Sequence, residues 1–177
     1  FTHVVAPCAG GGWNLHHGTI GDNIHSFVSY SSITALFGAA GQSNYGLANG
    51  WLDAFSEIRR DIGLAGVSLQ WGPWADVGLS VRGVAQVGDA GQEFIPVSTG
   101  TQCLSLAIQS SAVSGTTTTV PTCIGVVRAK WERVLCLRGF VPMMFETLIA
   151  ESKANPASQS AGEAAEATEF ERKILGI

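Results

Sequence analysis

Three polar residues at a fixed spacing, Ser32, Tyr45 and Asn49, carry the side chains that proton transfer to a carbonyl group requires. A serine hydroxyl can donate a hydrogen bond to a carbonyl oxygen, and a phenol is a feasible acid toward the alkoxide that forms when the carbonyl is reduced. Asn49 follows Tyr45 by four residues, so the two share one face of a helix. The spacing therefore predicts acid–base chemistry on a single carbonyl group.

The residues around these three predict the elements that position them. A strand is expected over 26–31, directly before Ser32. A helix is expected over 43–62, because its apolar residues recur every three or four positions and Gly63 follows as a stop signal. The other predicted elements are a helix over 3–18 weakened by Gly10–Gly12, a strand over 67–71, a loop over 75–97, a helix over 99–111, a strand over 116–127, and short helices over 128–137 and 143–151.

Strands that alternate with helices of this length predict an α/β fold with a parallel sheet. Three strands make a small sheet, and parallel strands need both faces covered. We therefore expect this chain to form part of a larger sheet. A loop as long as 75–97 inside a compact domain is usually functional, often a lid.

Composition excludes several classes of function. The 177 residues are 46% hydrophobic with a net charge of −4 and no basic block, so we expect one core and no nucleic-acid partner. No apolar run reaches the roughly 18 residues of a membrane span, and no secretory leader is visible. The cysteines form no CxxC pair and are expected to be free thiols in a reducing, cytoplasmic setting, with an organelle left open. They are Cys8, Cys103, Cys123 and Cys136.

The last part of the chain changes in character. Residues 151–168 are rich in Ala, Ser, Gly and Glu with few bulky apolar residues, which predicts a flexible linker. Residues 169–177 become apolar and charged again, as at the start of a following domain.

The motifs together resemble a known family. Ser32, Tyr45 and Asn49, with Gly41-Gln42 before Tyr45 and the segment Trp71-Gly-Pro-Trp-Ala-Asp-Val-Gly78 after it, resemble the ketoreductase domain of modular polyketide synthases and related multidomain fatty acid synthases. This is a branch of the short-chain dehydrogenase/reductase superfamily. The resemblance covers about residues 1–150 and implies a Rossmann-like, doubly wound parallel sheet, of which this chain is the C-terminal, catalytic part.

The resemblance also implies a reaction. It is the NADPH-dependent reduction of a β-ketoacyl group, carried on an acyl carrier protein of the same megasynthase, to a β-hydroxyacyl group. Tyr45 resembles the proton donor, Ser32 the residue that hydrogen-bonds the substrate carbonyl, and Asn49 a residue that supports the cofactor or a water relay. The residues that match the turn passing the nicotinamide are Gly72, Pro73 and Trp74. Phe37 stands where a Trp would mark one product configuration, so the configuration is left open.

Two departures from the family bear on activity. Ordinary members of the superfamily have Lys four residues after the Tyr, whereas the polyketide branch has Asn there and supplies a Lys from the preceding helix. Here Cys8 stands where that Lys is expected, in the segment Pro7-Cys-Ala-Gly-Gly-Gly-Trp-Asn-Leu-His16. No GxGxxG loop follows any strand, so the cradle for the cofactor phosphates is absent from this sequence. We expect this chain alone to bind NADPH poorly.

Other interpretations compete with an active reductase. Cys8 favours a degenerate, non-reducing ketoreductase-like domain kept as a structural part of the megasynthase. A free-standing dehydrogenase fits the linker less well. No metal is expected, because His3, Cys8, His16 and His17 meet no zinc spacing, and a Cys8–His16 nucleophile is equally weak. Trp71 and Trp74 are either core anchors or contacts to cofactor or substrate.

Overall fold

The computed structural model describes residues 2–75, 77, 91–110 and 121–136. The chain divides into two compact units, Phe1–Gly72 with Gly100–Val126 and Pro73–Thr99 with Val127–Ile177. The predicted helix over 143–151, the linker over 151–168 and the segment 169–177 lie outside the described residues, and the domain boundaries stay predictions. No helix within the described ranges is both long and apolar enough to cross a membrane.

A three-stranded parallel sheet forms the centre of the first unit, as predicted. Strands β1 (Val28–Ser32), β2 (Val67–Trp71) and β4 (Cys123–Val126) lie in the order β1-β2-β4. The register pairs Ser32 with Trp71 and Leu69 with Ile124. Every residue of β2 is buried, which is the pattern of a central parallel strand. Residues 121–122 precede β4, so the strand predicted from 116 is shorter in its described part.

Helix α4 (Ser43–Asp61) covers one face of this sheet and carries Tyr45 and Asn49. Its predicted period is confirmed by buried Ala48, Leu52 and Phe55, whereas Ile58 is exposed. The helix ends at Asp61, and Gly63 shortly after it has a φ of +78°, a left-handed conformation that favours glycine.

Polar side chains fix α4 on the sheet. The Ser56 hydroxyl donates to Ser29 Oγ at 3.1 Å. Asp53 accepts from Ser68 Oγ at 2.6 Å and from Gln70 Nε2 at 2.8 Å. Buried polar groups cost free energy unless they are paired. These hydrogen bonds therefore favour a single position of α4 on β1 and β2.

The predicted helix over 3–18 is present in three parts. They are α1 (Thr2–Val5), a π-helical turn (Ala6–Gly10) and α2 (Gly11–Thr19). The helix is interrupted by a π-helical turn, a distortion often found at functional sites, but the turn shares only Gly10 with the predicted weak point, because Gly11 and Gly12 lie in the regular helix α2. This turn packs against α4, the helix of Tyr45.

Helix α2 is fastened to α4 by an aromatic and a polar contact. His16 is buried, with its ring 5.4 Å from that of Phe55 in an edge-on arrangement. Its Nδ1 lies 2.7 Å from Arg59 Nη1. Since the guanidinium can only donate, His16 Nδ1 is the acceptor and the imidazole is neutral in this contact.

Lowering the pH should therefore weaken the fold through His16. Burial above all, and then the charges of Arg59 and His17, hold the pKa of His16 below its ordinary value of 6.5. Below about pH 6.5 the unfolded chain takes up a proton that the folded chain refuses. The free energy of unfolding should be highest above about pH 6.5 and should decrease below it, by at most about 1.4 kcal/mol per pH unit. Urea unfolding across about pH 5–8 measures the slope.

The matched variants are His16→Asn and His17→Asn. Asparagine at 16 keeps an oxygen acceptor for Arg59 without titrating, so the slope assigned to His16 should disappear. His17 is the exposed neighbour on the same helix, and its replacement should leave the slope in place. An unchanged slope in His16→Asn would show that other groups cause the pH dependence.

The second unit contains a short antiparallel pair that the sequence did not predict. Strand β3 (Gln92–Glu93) pairs with β5 (Arg128–Ala129), and Trp74 bridges to Ile95. The predicted helix over 128–137 is therefore wrong at its start, because α6 spans Trp131–Cys136. The predicted loop over 75–97 is wrong at residues 92–93, and most of its remainder lies outside the described residues. Helix α5 (Val97–Ser110) confirms the helix predicted over 99–111.

The described thiols are free, as predicted, at Cys8, Cys103 and Cys123. Burial raises the pKa of Cys103. Burial first, and then the nearby Asp53 and Glu57 carboxylates, raise the pKa of Cys123 to about 12. Neither of these two thiols has the thiolate character of a nucleophile at neutral pH.

Candidate functional site

Ser32 is the last residue of β1, at the carboxyl edge of the parallel sheet. Ligands of open α/β sheets bind at this edge. The backbone is fixed there, because the N–H of Ile33 donates to the carbonyl of Trp71 at 3.0 Å. Ser32 is 8% exposed, and its Oγ lies 2.6 Å from Thr34 Oγ1. The structure thus holds the Ser32 hydroxyl in one place at the edge where chemistry is expected.

Tyr45 lies in the first turn of α4, and its hydroxyl is available. The side chain is 37% exposed. Its phenolic oxygen makes no hydrogen bond to any residue in the described part of the chain. The backbone N–H of Tyr45 donates to the side chain of Asn44 at 2.9 Å, which satisfies one of the free donors at the helix start. An exposed phenol on a fixed helix is what a proton donor to a ligand requires.

Asn49 is turned toward its own helix. It is only 2% exposed, and its Nδ2 donates to the carbonyl of Tyr45 at 2.8 Å. The backbone carbonyl of Asn49 accepts a hydrogen bond from Ser31 Oγ at 3.2 Å. In this structure Asn49 therefore braces the turn that bears Tyr45 and ties that turn to β1.

The end of β1 and the first turns of α4 are brought together at two places. One is the Ser31–Asn49 hydrogen bond, and the other is Gly46, where an added Cβ would lie 3.4 Å from the carbonyl oxygen of Thr34. A Cβ at position 46 would stand at van der Waals distance from this oxygen, so α4 runs close to the segment that follows Ser32. Sequence reasoning missed Ser31 and Thr34. The signal was available, because hydroxyl residues one before and two after a candidate serine are placed to bond its surroundings.

The residues matched to the nicotinamide turn follow β2. Gly72 is buried, and its N–H donates to the carbonyl of Val126 at 2.8 Å. In the second unit, the carbonyl of Pro73 accepts from the N–H of Ile95 at 2.7 Å, and Trp74 is half-buried. Trp71 is buried in β2 with its ring 5.8 Å from that of Tyr30, which makes it a core residue.

Cys8, at the expected lysine position, lies in the π-helical turn and is half-buried. Its side chain carries no ammonium group, whereas the resemblance leads us to expect one there. Over the described ranges, no three His, Cys, Asp or Glu side chains are grouped so that they could hold a metal ion. His16, which entered the alternative metal and nucleophile interpretations, is instead bonded to Arg59.

The chain is similar in sequence and in structure to known proteins. Residues 1–76 match the family model described as KR domain. The chain is 36% identical over 160 residues to "Polyketide synthase GfsB" of Streptomyces halstedii, an alignment that covers 89% of this chain and 3% of that protein. It is 42% identical over 85 residues to "Mycocerosic acid synthase-like polyketide synthase" of Mycobacterium tuberculosis, which covers 48% of this chain and 4% of that protein.

Solved structures give the same picture. "The first ketoreductase of the tylosin PKS" superposes with a TM-score of 0.64 at 28% identity, covering 77% of this chain and 28% of that one. "Structure of A-type Ketoreductases from Modular Polyketide Synthase" superposes with a TM-score of 0.71 at 24% identity, covering 81% and 29%, and shows the fold. The chain therefore spans less than a third of these structures and a few per cent of the curated relatives.

Proposed function

The chain belongs, through residues 1–76, to the KR-domain family of polyketide synthases, and from that premise we propose that it contributes the site that reduces a carrier-bound β-ketoacyl group. The product is a β-hydroxyacyl group, and the reductant is NADPH. The partners are the acyl carrier protein that presents the substrate and the other domains of the same megasynthase.

The observation that carries the proposal is a pair of hydroxyl groups, one at the carboxyl edge of the sheet and one on the helix that packs against β1. Tyr45 presents an exposed phenol from α4, and Ser32 holds a hydroxyl at the end of β1. Reduction of a ketone leaves negative charge on its oxygen, and positioned neutral donors stabilise that charge. In the proposed role the Ser32 hydroxyl donates to the ketone oxygen, and Tyr45 transfers its phenolic proton to the same oxygen as the alcohol forms.

The described residues suit the part of the site where the substrate ketone would meet the nicotinamide ring of the cofactor. The donor set consists of two hydroxyl groups, and no described carboxylate is hydrogen-bonded to either. Bound NADPH would supply the hydride to the ketone carbon. Gly72, Pro73 and Trp74 are the residues that would line the nicotinamide. The phosphate end is not matched, because the sequence has no GxGxxG loop.

A second candidate function is favoured by Cys8. In this alternative the chain belongs to a non-reducing domain that keeps the fold as a structural part of the megasynthase. The π-helical turn that bears Cys8 packs against α4. A lysine at position 8 would place a positive charge next to the helix of Tyr45, whereas cysteine does not. Assay of NADPH oxidation by a complete ketoreductase domain containing this segment, with a β-ketoacyl thioester, separates the two functions.

Restoring the cation should accelerate reduction. A nearby ammonium typically favours the charged form of an acid by about 1–3 pKa units, which corresponds to roughly tenfold to thousandfold in rate. We therefore expect Cys8→Lys to raise kcat/KM for the thioester by that factor in the complete domain. Steady-state oxidation of NADPH, followed by its absorbance, measures the change.

Cys8→Met is the matched control, because it lengthens the side chain without adding charge. It should leave kcat/KM near that of the unmodified domain. If the unmodified domain turns over rapidly and Cys8→Lys adds nothing, position 8 does not take the place of the lysine. If reduction is detectable only in Cys8→Lys, the non-reducing function is the correct one.

A further inference from the structure

The Ser32 hydroxyl has two contacts with a single residue, Thr34. The N–H of Thr34 donates to Ser32 Oγ at 3.2 Å, and the two hydroxyl oxygens lie 2.6 Å apart. Thr34 begins the short helix α3 (Thr34–Phe37), which packs against both β1 and α4. Ser32 Oγ, which in the proposed function donates a hydrogen bond to the substrate, is thus held by the backbone and the side chain of one threonine.

The direction of the hydroxyl contact decides what Ser32 can do. A serine oxygen has two acceptor sites and one proton. The N–H of Thr34 uses one acceptor site. If Thr34 Oγ1 donates to Ser32 Oγ, the second site is filled and the Ser32 proton is left for a ligand. If Ser32 donates to Thr34, that proton is used within the pair.

We propose that Thr34 is a positioning residue that donates its hydroxyl proton to Ser32 Oγ and so directs the Ser32 proton to the ketone oxygen of the substrate. This rests on the proposed function of Ser32 and extends it to a residue outside the predicted set. No bond to Thr34 forms or breaks during the reaction. Two hydrogen bonds accepted by Ser32 also polarise its O–H, because linked hydrogen bonds strengthen one another.

The surroundings of Thr34 suit this role. Its branched side chain has few rotamers, so the hydroxyl stays oriented toward Ser32 at little entropic cost. Its carbonyl oxygen lies against α4, 3.4 Å from the place where a Cβ on Gly46 would sit. Gly46 is the neighbour of Tyr45. Thr34 therefore connects the hydroxyl of Ser32 to the helix that carries the second proposed donor.

The test compares Thr34→Val and Thr34→Ser in the complete ketoreductase domain, in the Cys8→Lys background where turnover requires it. Valine keeps the branched shape and removes the hydroxyl, whereas serine keeps the hydroxyl. We expect Thr34→Val to lower kcat about three- to tenfold with a smaller change in KM, the size of one indirect hydrogen bond. Thr34→Ser should stay within about twofold of the parent.

A double variant shows whether Thr34 acts through Ser32. Ser32→Ala with Thr34→Val should be as slow as Ser32→Ala alone, because the hydroxyl that Thr34 orients has already been removed. If Thr34→Val slows the Ser32→Ala domain by the same factor as it slows the parent, or if Thr34→Val alone matches the parent, the proposal for Thr34 is wrong. If Ser32→Ala and Tyr45→Phe leave kcat unchanged, the proposed function itself is wrong.

A spectroscopic measurement decides the question without turnover. The ¹³C resonance of the labelled ketone in a bound β-ketoacyl thioester moves to lower field as its oxygen accepts a stronger hydrogen bond. Without reductant, we expect this displacement to be reduced in Thr34→Val and restored in Thr34→Ser. Equal resonances in the parent and in Thr34→Val would overturn the proposal.

Discussion

Replacing Tyr45 with phenylalanine should reduce NADPH-dependent turnover of a β-ketoacyl thioester by about 10²- to 10⁴-fold, the usual contribution of a positioned general acid. The change removes only the phenolic oxygen. That oxygen is bonded to no described residue, so its loss breaks no hydrogen bond within the described part of the chain. The effect should therefore fall on kcat, with the free energy of unfolding unchanged. Steady-state kinetics and urea unfolding of the same complete domain measure both quantities.

The chain offers a matched control in its one other tyrosine, Tyr30. Tyr30 lies on β1, two residues before Ser32, and is 53% exposed with its ring against Trp71. Tyr30→Phe keeps that ring contact and should leave kcat near the parent value. If Tyr45→Phe and Tyr30→Phe have equal and small effects, Tyr45 is a helix-face residue and the proton comes from elsewhere.

The sequence predicted the elements whose signals are local. The apolar run 67–71 matches β2 at both ends, and α4 begins at Ser43 as expected, because a buried strand and an amphipathic helix are written in consecutive residues. The two-residue strands β3 and β5 were missed. They depend on pairing between residues more than 30 positions apart, and two residues are too few to show a period.

The sequence proposed the candidate site residues and not their partners. The spacing of Ser32, Tyr45 and Asn49 marked three candidates, and the structure places Ser32 at the carboxyl edge of the sheet. It did not show that Asn49 would turn back to the carbonyl of Tyr45, or that Thr34 would hold Ser32. These contacts depend on how α3 and α4 pack against β1, which no periodicity in the sequence records.

Arg59 has a structural role that its position in the sequence does not explain. It lies in the last turn of α4, where the helix dipole favours a cation. The structure shows it 1% exposed, donating from Nε to the carbonyl of Ala65 at 2.8 Å and lying 3.8 Å over the ring of Phe27. No carboxylate in the described ranges lies within ion-pair distance of it. Burial lowers its pKa, and the charge is held by a carbonyl, a neutral imidazole and an aromatic face.

Arg59→Ala should therefore lower the free energy of unfolding by about 3–5 kcal/mol. The change leaves a cavity between α4 and the start of β1, and it removes the donors to the Ala65 carbonyl and to His16. Arg60→Ala is the matched control, since it has the same helix propensity at the next position and a less buried side chain, and should cost under about 1 kcal/mol. Urea unfolding of the complete domain measures the difference. Equal costs at the two positions would contradict a structural role for Arg59.

The Arg59 variant also tests the contact with His16 from the other side. In the parent, His16 must stay neutral to accept from Arg59, and that requirement makes unfolding depend on pH. Without the guanidinium, one of the causes that lower the pKa of His16 is removed, and water can reach the imidazole. The loss of stability caused by Arg59→Ala should therefore be larger at pH 7.5 than at pH 5.5, where the unfolded parent already binds the proton that its fold excludes. If the loss is the same at both pH values, the two residues contribute to stability independently.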